Sequence, residues 1–226
     1  MSPPPSTPDP TKHLSVWSII IPVKQTTIGK SRLNGLPDDA RQALARAFAL
    51  DTAAAAVMTP GVRRVVVITN DPDPGGFVDV GAEVVDDGPD SGLNAALVHG
   101  AHHVAASDGS TGVVALTGDL PALRSDVLGL ALSAAPARRW FVSDSAGTGT
   151  TLLAARGERL SPSFGRHSRA AHKASGAVEL ELPGLERLRR DVDTEIDLWD
   201  AVRLGVGRHT CAVLARFRLD RIEPLP

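Results

Sequence analysis

The sequence predicts an α/β fold with a mostly parallel sheet and helices on both of its faces. Three observations carry that expectation. Strand-like and helix-like segments alternate along the chain from residue 16 to residue 204. The strand-like segments are β-branched runs with little polar alternation, as expected of strands covered on both faces. After residue 12, no Gly/Ser-rich linker or break in composition divides the 226 residues, so one layered domain accounts for them.

The elements follow in order. Residues 16–23 (VWSIIIPV) form the first strand. Residues 38–58 form a helix, with Asp38 or Asp39 placed to cap its start and Pro60-Gly61 to end it. Residues 64–69 (RVVVIT) give a second buried strand and residues 82–86 a shorter third. Residues 91–106 predict a helix with Ser91 near its N-cap. Residues 112–117 (GVVALT) predict a strand that ends in Gly118-Asp119-Leu120-Pro121. A helix over 124–135, strands over 140–143 and 150–155, a last short strand over 188–193 and a helix over 194–204 complete the series. Domain bounds on this basis are a disordered Pro-rich arm (1–12), one domain (13–210) and a C-terminal tail (211–226).

Composition excludes several classes. Hydrophobic residues are 42% and charged residues 22% of the chain, enough for an ordinary core. The single cysteine, Cys211, excludes a disulfide framework and an all-cysteine metal site. The formal net charge of −2 argues against a large sequence-independent nucleic-acid footprint. Residues 1–12 contain five Pro and no apolar run, so they do not resemble a secretory signal. The longest apolar runs fall short of the roughly 20 residues that span a bilayer. The expectation is a cytoplasmic protein with neither nucleic acid nor membrane as a partner. A homodimer stays open as its assembly state.

In sheets of this kind ligands bind beyond the carboxyl ends of the strands. Gly29-Lys30-Ser31 looks like the end of a P-loop, but the glycine required five positions earlier is Lys24. That argues against a Walker-type NTPase, which stays only as a minor rival reading. Only four of the 24 basic residues are Lys, yet Lys24 and Lys30, with Arg32, share the loop after the first strand. Such a loop suits a polyphosphate, or it is a solvated surface loop. Asp119 either projects into the crevice as a Mg²⁺ ligand or caps the next helix. Asp191 and Asp193, two apart, point to one side of an extended segment, either to share a cation or to end a polar strand. Asp71-Pro-Asp73 is a turn. The small-residue loops 147–151 and 164–168 offer backbone N–H and hydroxyl groups to an anion, or are ordinary turns. His167 and His172 lack partner spacing and are expected at the surface.

Taken in order, the strings IIIPVK…GKSRL, ITND, SGLNAAL, LTGDLPAL, GTGTTLL, SFGRHSRAAH and DVDTEIDL resemble the guanylyltransferases of coenzyme F-420 biosynthesis. These enzymes act on 2-phospho-L-lactate or phosphoenolpyruvate. The resemblance covers about residues 14–208, and SFGxxSxxxH together with DVDT is specific to the group. It implies a Rossmann-like α/β/α sandwich of the nucleotide-diphospho-sugar transferase (nucleotidyltransferase) type. GTP and a phosphorylated three-carbon acid are the implied substrates, and Mg²⁺ the implied cofactor. Metal carboxylates map onto Asp119, Asp191 and Asp193, and phosphoenolpyruvate contacts onto Thr150, Gly165 and Ser168. The nucleotide-phosphate loop maps onto Lys24, Lys30 and Arg32, and the nucleoside contact onto Asn94. Lys24 and Asp119 are the implied catalytic pair. The chain departs from the GxGxR loop of sugar-nucleotide pyrophosphorylases, carrying KQTTIGKSR instead. Two other readings stand beside this one. One is a nucleotidyltransferase acting on the molybdenum cofactor or a sugar phosphate; the other is a catalytically silent nucleotide-binding module.

Overall fold

A computed structural model describes residues 16–24, 33, 35–88, 90–107 and 112–219. Among these residues seven strands form one sheet in the order β3-β2-β1-β4-β6-β5-β7. They are β1 (Trp17–Pro22), β2 (Val62–Ile68), β3 (Glu83–Val85), β4 (Gly112–Leu116), β5 (Arg139–Ser143), β6 (Thr150–Ala155) and β7 (Val178–Glu179). β1 pairs in parallel with β2 and β4, β2 with β3, and β5 with β7. Only β6 runs against its neighbours, β4 and β5. The carboxyl ends of β1, β4 and β5 therefore share one edge of the sheet with the amino end of β6.

Alternate residues of the strands face opposite layers. Ile19, Ile21, Val65, Val67, Val114, Leu116, Trp140 and Val142 pack on one side. There they meet α1 (Asp38–Val57) and α4 (Ser125–Ala134) through Ala49, Ala53, Leu128 and Leu132. Ile20, Val66, Ile68, Ala115, Phe141 and Leu153 face the other side, against Ala96, Leu97 and Val104 of α3 (Leu93–Ser107). Helix and sheet come close there because Gly100 has no side chain: a Cβ would lie 2.6 Å from Ile20. A third apolar cluster joins Leu44 and Phe48 of α1 to Leu198 and Ala201 of α7 (Glu195–Leu204) and Leu214 of α8 (Arg208–Arg216). Three short helices, α2 (Gly75–Asp79), α5 (Ser168–Ala174) and α6 (Glu186–Arg189), complete the fold. Among the described residues no helix is long and apolar enough to cross a membrane.

Several expectations are corrected. Pro37, rather than Asp38 or Asp39, is the N-cap of α1, and both aspartates sit in its first turn. The strand expected over 188–193 does not form. Leu188 ends up in α6 and packs in the first core, while Val192 packs in the third. The two apolar residues are thus divided between layers, and a strand would have kept them on one face. Residue 211 does not begin a tail: α8 runs through it. The Asp51 carboxylate, 5% exposed, accepts from His209 N and Thr210 N at 2.9 and 2.8 Å and so caps that helix. Residues 1–12 lie outside the described residues.

Candidate active site

The shared edge gathers four aspartates. Asp119 follows β4, and its carbonyl accepts from Val192 N at 3.1 Å, which brings the 191–193 segment alongside. Asp144 follows β5 as Asp119 follows β4. Burial first, then the charges of Asp119, Asp144 and Asp193, push Asp191 up to about 7. A carboxylate raised by three others marks a place where positive charge is welcome. Its donors are all oxygen, the ligand type of Mg²⁺. Among the described residues no three His, Cys, Asp or Glu side chains stand grouped to hold an ion. Thr194 caps α7, in a capping box with Asp197.

Asp144 was not anticipated. Its oxygens accept from Thr148 N at 2.9 Å and Gly149 N at 2.8 Å, folding the small-residue loop beneath Thr150. The position after a buried strand was its only signal. Arg169 braces the same loop by donating to the Gly147 carbonyl at 3.1 Å and to Glu179 at 2.9 Å. Burial opposes the charge on Glu179, but hydrogen bonds from Arg169, Lys173 and Ser143 outweigh it and hold the acid down at about 2.

Thr150, Gly165 and Ser168 are brought together. Thr150 begins β6, and its hydroxyl lies 2.9 Å from Nδ1 of His172 on α5. Ser168 begins that helix, four residues before His172, and its N–H donates to the Gly165 carbonyl at 3.1 Å. Gly165 has φ +129, a conformation that side chains rarely adopt. The backbone N–H of Ser163 donates to His172 Nε2 at 3.0 Å. His172 is therefore not the surface residue expected: its ring is fully buried between Phe141 and Phe164. Burial, with the Arg139 charge, pushes its pKa down to about 4. His167 is exposed.

Asn94, at the start of α3, spends its amide on this loop. Oδ1 accepts from Phe164 N at 2.8 Å, and Nδ2 donates to the Phe164 carbonyl at 2.9 Å. One Nδ2 hydrogen is left to offer to a ligand. Lys24 is exposed just beyond β1. Lys30 and Arg32 lie outside the described residues. The far end of their loop is tied to α7, where Glu195 accepts from Gly35 N at 2.6 Å. Asp71 and Asp73 form a turn, as expected, and both pair with Arg46.

The arrangement places an acidic cluster beside the 147–151 and 164–168 loops at one edge of the sheet. Residues 17–224 match the family model "Guanylyl transferase CofC like". The chain is 50% identical over 204 residues to a phosphoenolpyruvate guanylyltransferase of Streptomyces coelicolor, covering 88% of this chain and 96% of that one. It is 49% identical to the enzyme of the same name from Thermomonospora curvata, covering 88% and 89%. Among solved structures, one similar fold belongs to a Desulfovibrio desulfuricans G20 protein assigned to the nucleotide-diphospho-sugar transferases. The TM-score is 0.64 at 20% identity, over 90% of this chain and 95% of that one.

Proposed function

The chain belongs to the CofC-like guanylyl transferases, and from that premise we propose that it moves GMP from GTP onto phosphoenolpyruvate. The product is enolpyruvyl-2-diphospho-5'-guanosine, and the setting is coenzyme F-420 biosynthesis in the cytoplasm. A phosphate oxygen of the acceptor attacks the α-phosphorus of GTP in line. The new bond joins that oxygen to phosphorus, the bond from the α-phosphorus to the β-bridging oxygen breaks, and pyrophosphate leaves. The nucleophile is already anionic near neutral pH, so no strong general base is needed. Catalysis then rests on positioning two anions and offsetting their charge.

Thr150, Gly165 and Ser168 would hold the acceptor. Lys24, with Lys30 and Arg32, would offset the charge on the departing pyrophosphate, and Asn94 would border the nucleoside. Asp119, Asp191 and Asp193 would hold Mg²⁺, which supplies neutralisation of phosphate charge when bound. The observation that carries this proposal is the crowding of acids around Asp191 on the same edge as the Thr150 and Ser168 loops.

The test is pyrophosphate release from GTP, with mass spectrometry of the product from competing phosphoenolpyruvate and 2-phospho-L-lactate. Release is expected only with acceptor and Mg²⁺ together, and phosphoenolpyruvate is expected to win. Undiminished activity in EDTA would remove the metal, and turnover with sugar phosphates alone would remove the substrate assignment.

A further inference from the structure

The buried ring of His172 has only one tautomer compatible with its neighbours. A backbone amide can only donate, and Ser163 N–H lies 3.0 Å from Nε2. Nε2 must therefore present a lone pair, and the hydrogen of the neutral ring must sit on Nδ1. Nδ1 is 2.9 Å from the Thr150 hydroxyl oxygen, so the ring donates and Thr150 accepts. A charged ring would set an Nε2 hydrogen against the amide hydrogen. Burial and the Arg139 charge both favour the neutral form.

The consequence falls on Thr150. With an oxygen lone pair committed to Nδ1–H, its own hydrogen has to point elsewhere. Among the described residues that hydroxyl makes no other hydrogen bond. A nearly buried hydroxyl with its hydrogen directed away from the ring is a ready donor to an anionic oxygen. The same ring also sets the opposite wall. It holds Ser163, two residues before Gly165, and packs against Phe164 with centroids 5.2 Å apart. Asn94 clamps Phe164 from the other side. One turn earlier on α5, Ser168 shares the face of His172.

We propose that His172 is a positioning residue for the acceptor. It forces the Thr150 hydroxyl to act as a hydrogen-bond donor to an anionic oxygen of the acceptor, and it sets the distance between Thr150 and the Gly165 loop. It takes no proton during the transfer. This inference rests on the acceptor reading of Thr150 and Gly165 given above.

Two measurements test it. The first needs no variant: long-range ¹⁵N–¹H NMR of histidine-labelled full-length protein. His172 is expected to show an unprotonated Nε2 and a protonated Nδ1 at neutral pH. A hydrogen on Nε2 would overturn the proposal. The second is steady-state kinetics of wild type, His172→Gln, Thr150→Val and the double variant, with GTP and phosphoenolpyruvate. Gln can accept from Ser163 at the Nε2 position but cannot donate where Nδ1 did. His172→Gln and Thr150→Val should each raise the phosphoenolpyruvate KM about 10-fold or more, as for a lost hydrogen bond to a charged group. The GTP KM should stay within about twofold. The double variant should be no worse than Thr150→Val, because the ring acts through that hydroxyl. Equal rises in both KM values, an unchanged phosphoenolpyruvate KM, or additive losses would each count against the inference. Failure of the wild type to guanylylate phosphoenolpyruvate would instead remove the functional proposal beneath it. If His172→Gln does not fold, the NMR result and Thr150→Val still decide.

Discussion

A carboxyl group pushed up to about 7 by burial and three like charges, as Asp191 is, holds its ionised form against a gradient. Removing a neighbouring charge should ease that strain and at the same time weaken the pull on a cation. Asp119→Asn and Asp193→Asn keep size and hydrogen bonding. We expect both to fold with an unchanged or slightly raised melting temperature and to lose about 10²–10³ in turnover, the usual cost of one preorganised electrostatic group. Raising Mg²⁺ should recover part of the loss. Glu158→Gln, at an exposed position, is the control. If both Asp variants kept more than about a tenth of wild-type turnover, the metal proposal would fall. His172 gives a second expectation, in stability. Its folded pKa is about 4 against 6.5 for the free group, so between those values the unfolded chain binds more protons. The stabilising contribution is complete above 6.5 and is lost as pH falls toward 4, by at most about 1.4 kcal/mol per pH unit. Asp191 contributes with the opposite sign between 3.8 and about 7. The readout is therefore the difference in urea stability between wild type and His172→Gln, which should shrink on acidification. A difference independent of pH would show that the ring is not held neutral. At this scale the sequence singled out the paired acids but put the buried His172 at the surface. Asp191 and Asp193 stand out by spacing, whereas burial of one histidine depends on where α5 lands.

At the scale of elements, legibility followed length and periodicity. α1 and the strands β1, β2, β4 and β6 carry long apolar runs, and the structure places them within one or two residues of expectation. β7 is two residues long and exists because Leu180 N reaches the Phe141 carbonyl beside it, a tertiary event with no local pattern. α6 is a single turn, and the segment after it is shaped by partners far away in sequence. Ser145 N donates to the Arg189 carbonyl at 2.7 Å, and Val192 N to that of Asp119 at 3.1 Å. Those two bonds, rather than a strand, carry Asp191 and Asp193 to the site. The strand expectation thus picked out Asp191 and Asp193 through the wrong geometry. Buried Val192 flanked by half-buried Asp191 and exposed Asp193 still mimics strand alternation, which explains why the pattern misled.

At the scale of the whole molecule, β6, the one reversed strand among the described residues, shapes the candidate site. Because β6 runs against β4 and β5, its first residue, Thr150, lies at the edge where β4 and β5 release Asp119 and Asp144. The 147–150 loop and the acids therefore meet without any long insertion. That edge is backed by the third apolar cluster, which holds Val192 with Leu198 of α7 and Leu214 of α8. Helix α8 thus supports the site from behind, although its short amphipathic run could be read as a tail. Ending the chain after Gly207 should therefore cost more than a surface helix. Leu214, about 5% exposed, would be lost from the cluster, at roughly 1.5–3 kcal/mol for burial alone. Asp51 would lose two backbone donors, each worth about 1.5–3 kcal/mol to a charged group. The sum approaches the roughly 5–15 kcal/mol that holds an ordinary domain together. We expect the truncated chain to lack a cooperative thermal transition and to lose GTP-dependent pyrophosphate release. Leu214→Ala grades the effect, with an expected loss of about 2–5 kcal/mol in urea unfolding and retained activity below its melting temperature. A truncated chain that melts cooperatively within a few degrees of the full-length protein would show that α8 is an appendage and that the cluster around Val192 stands without it.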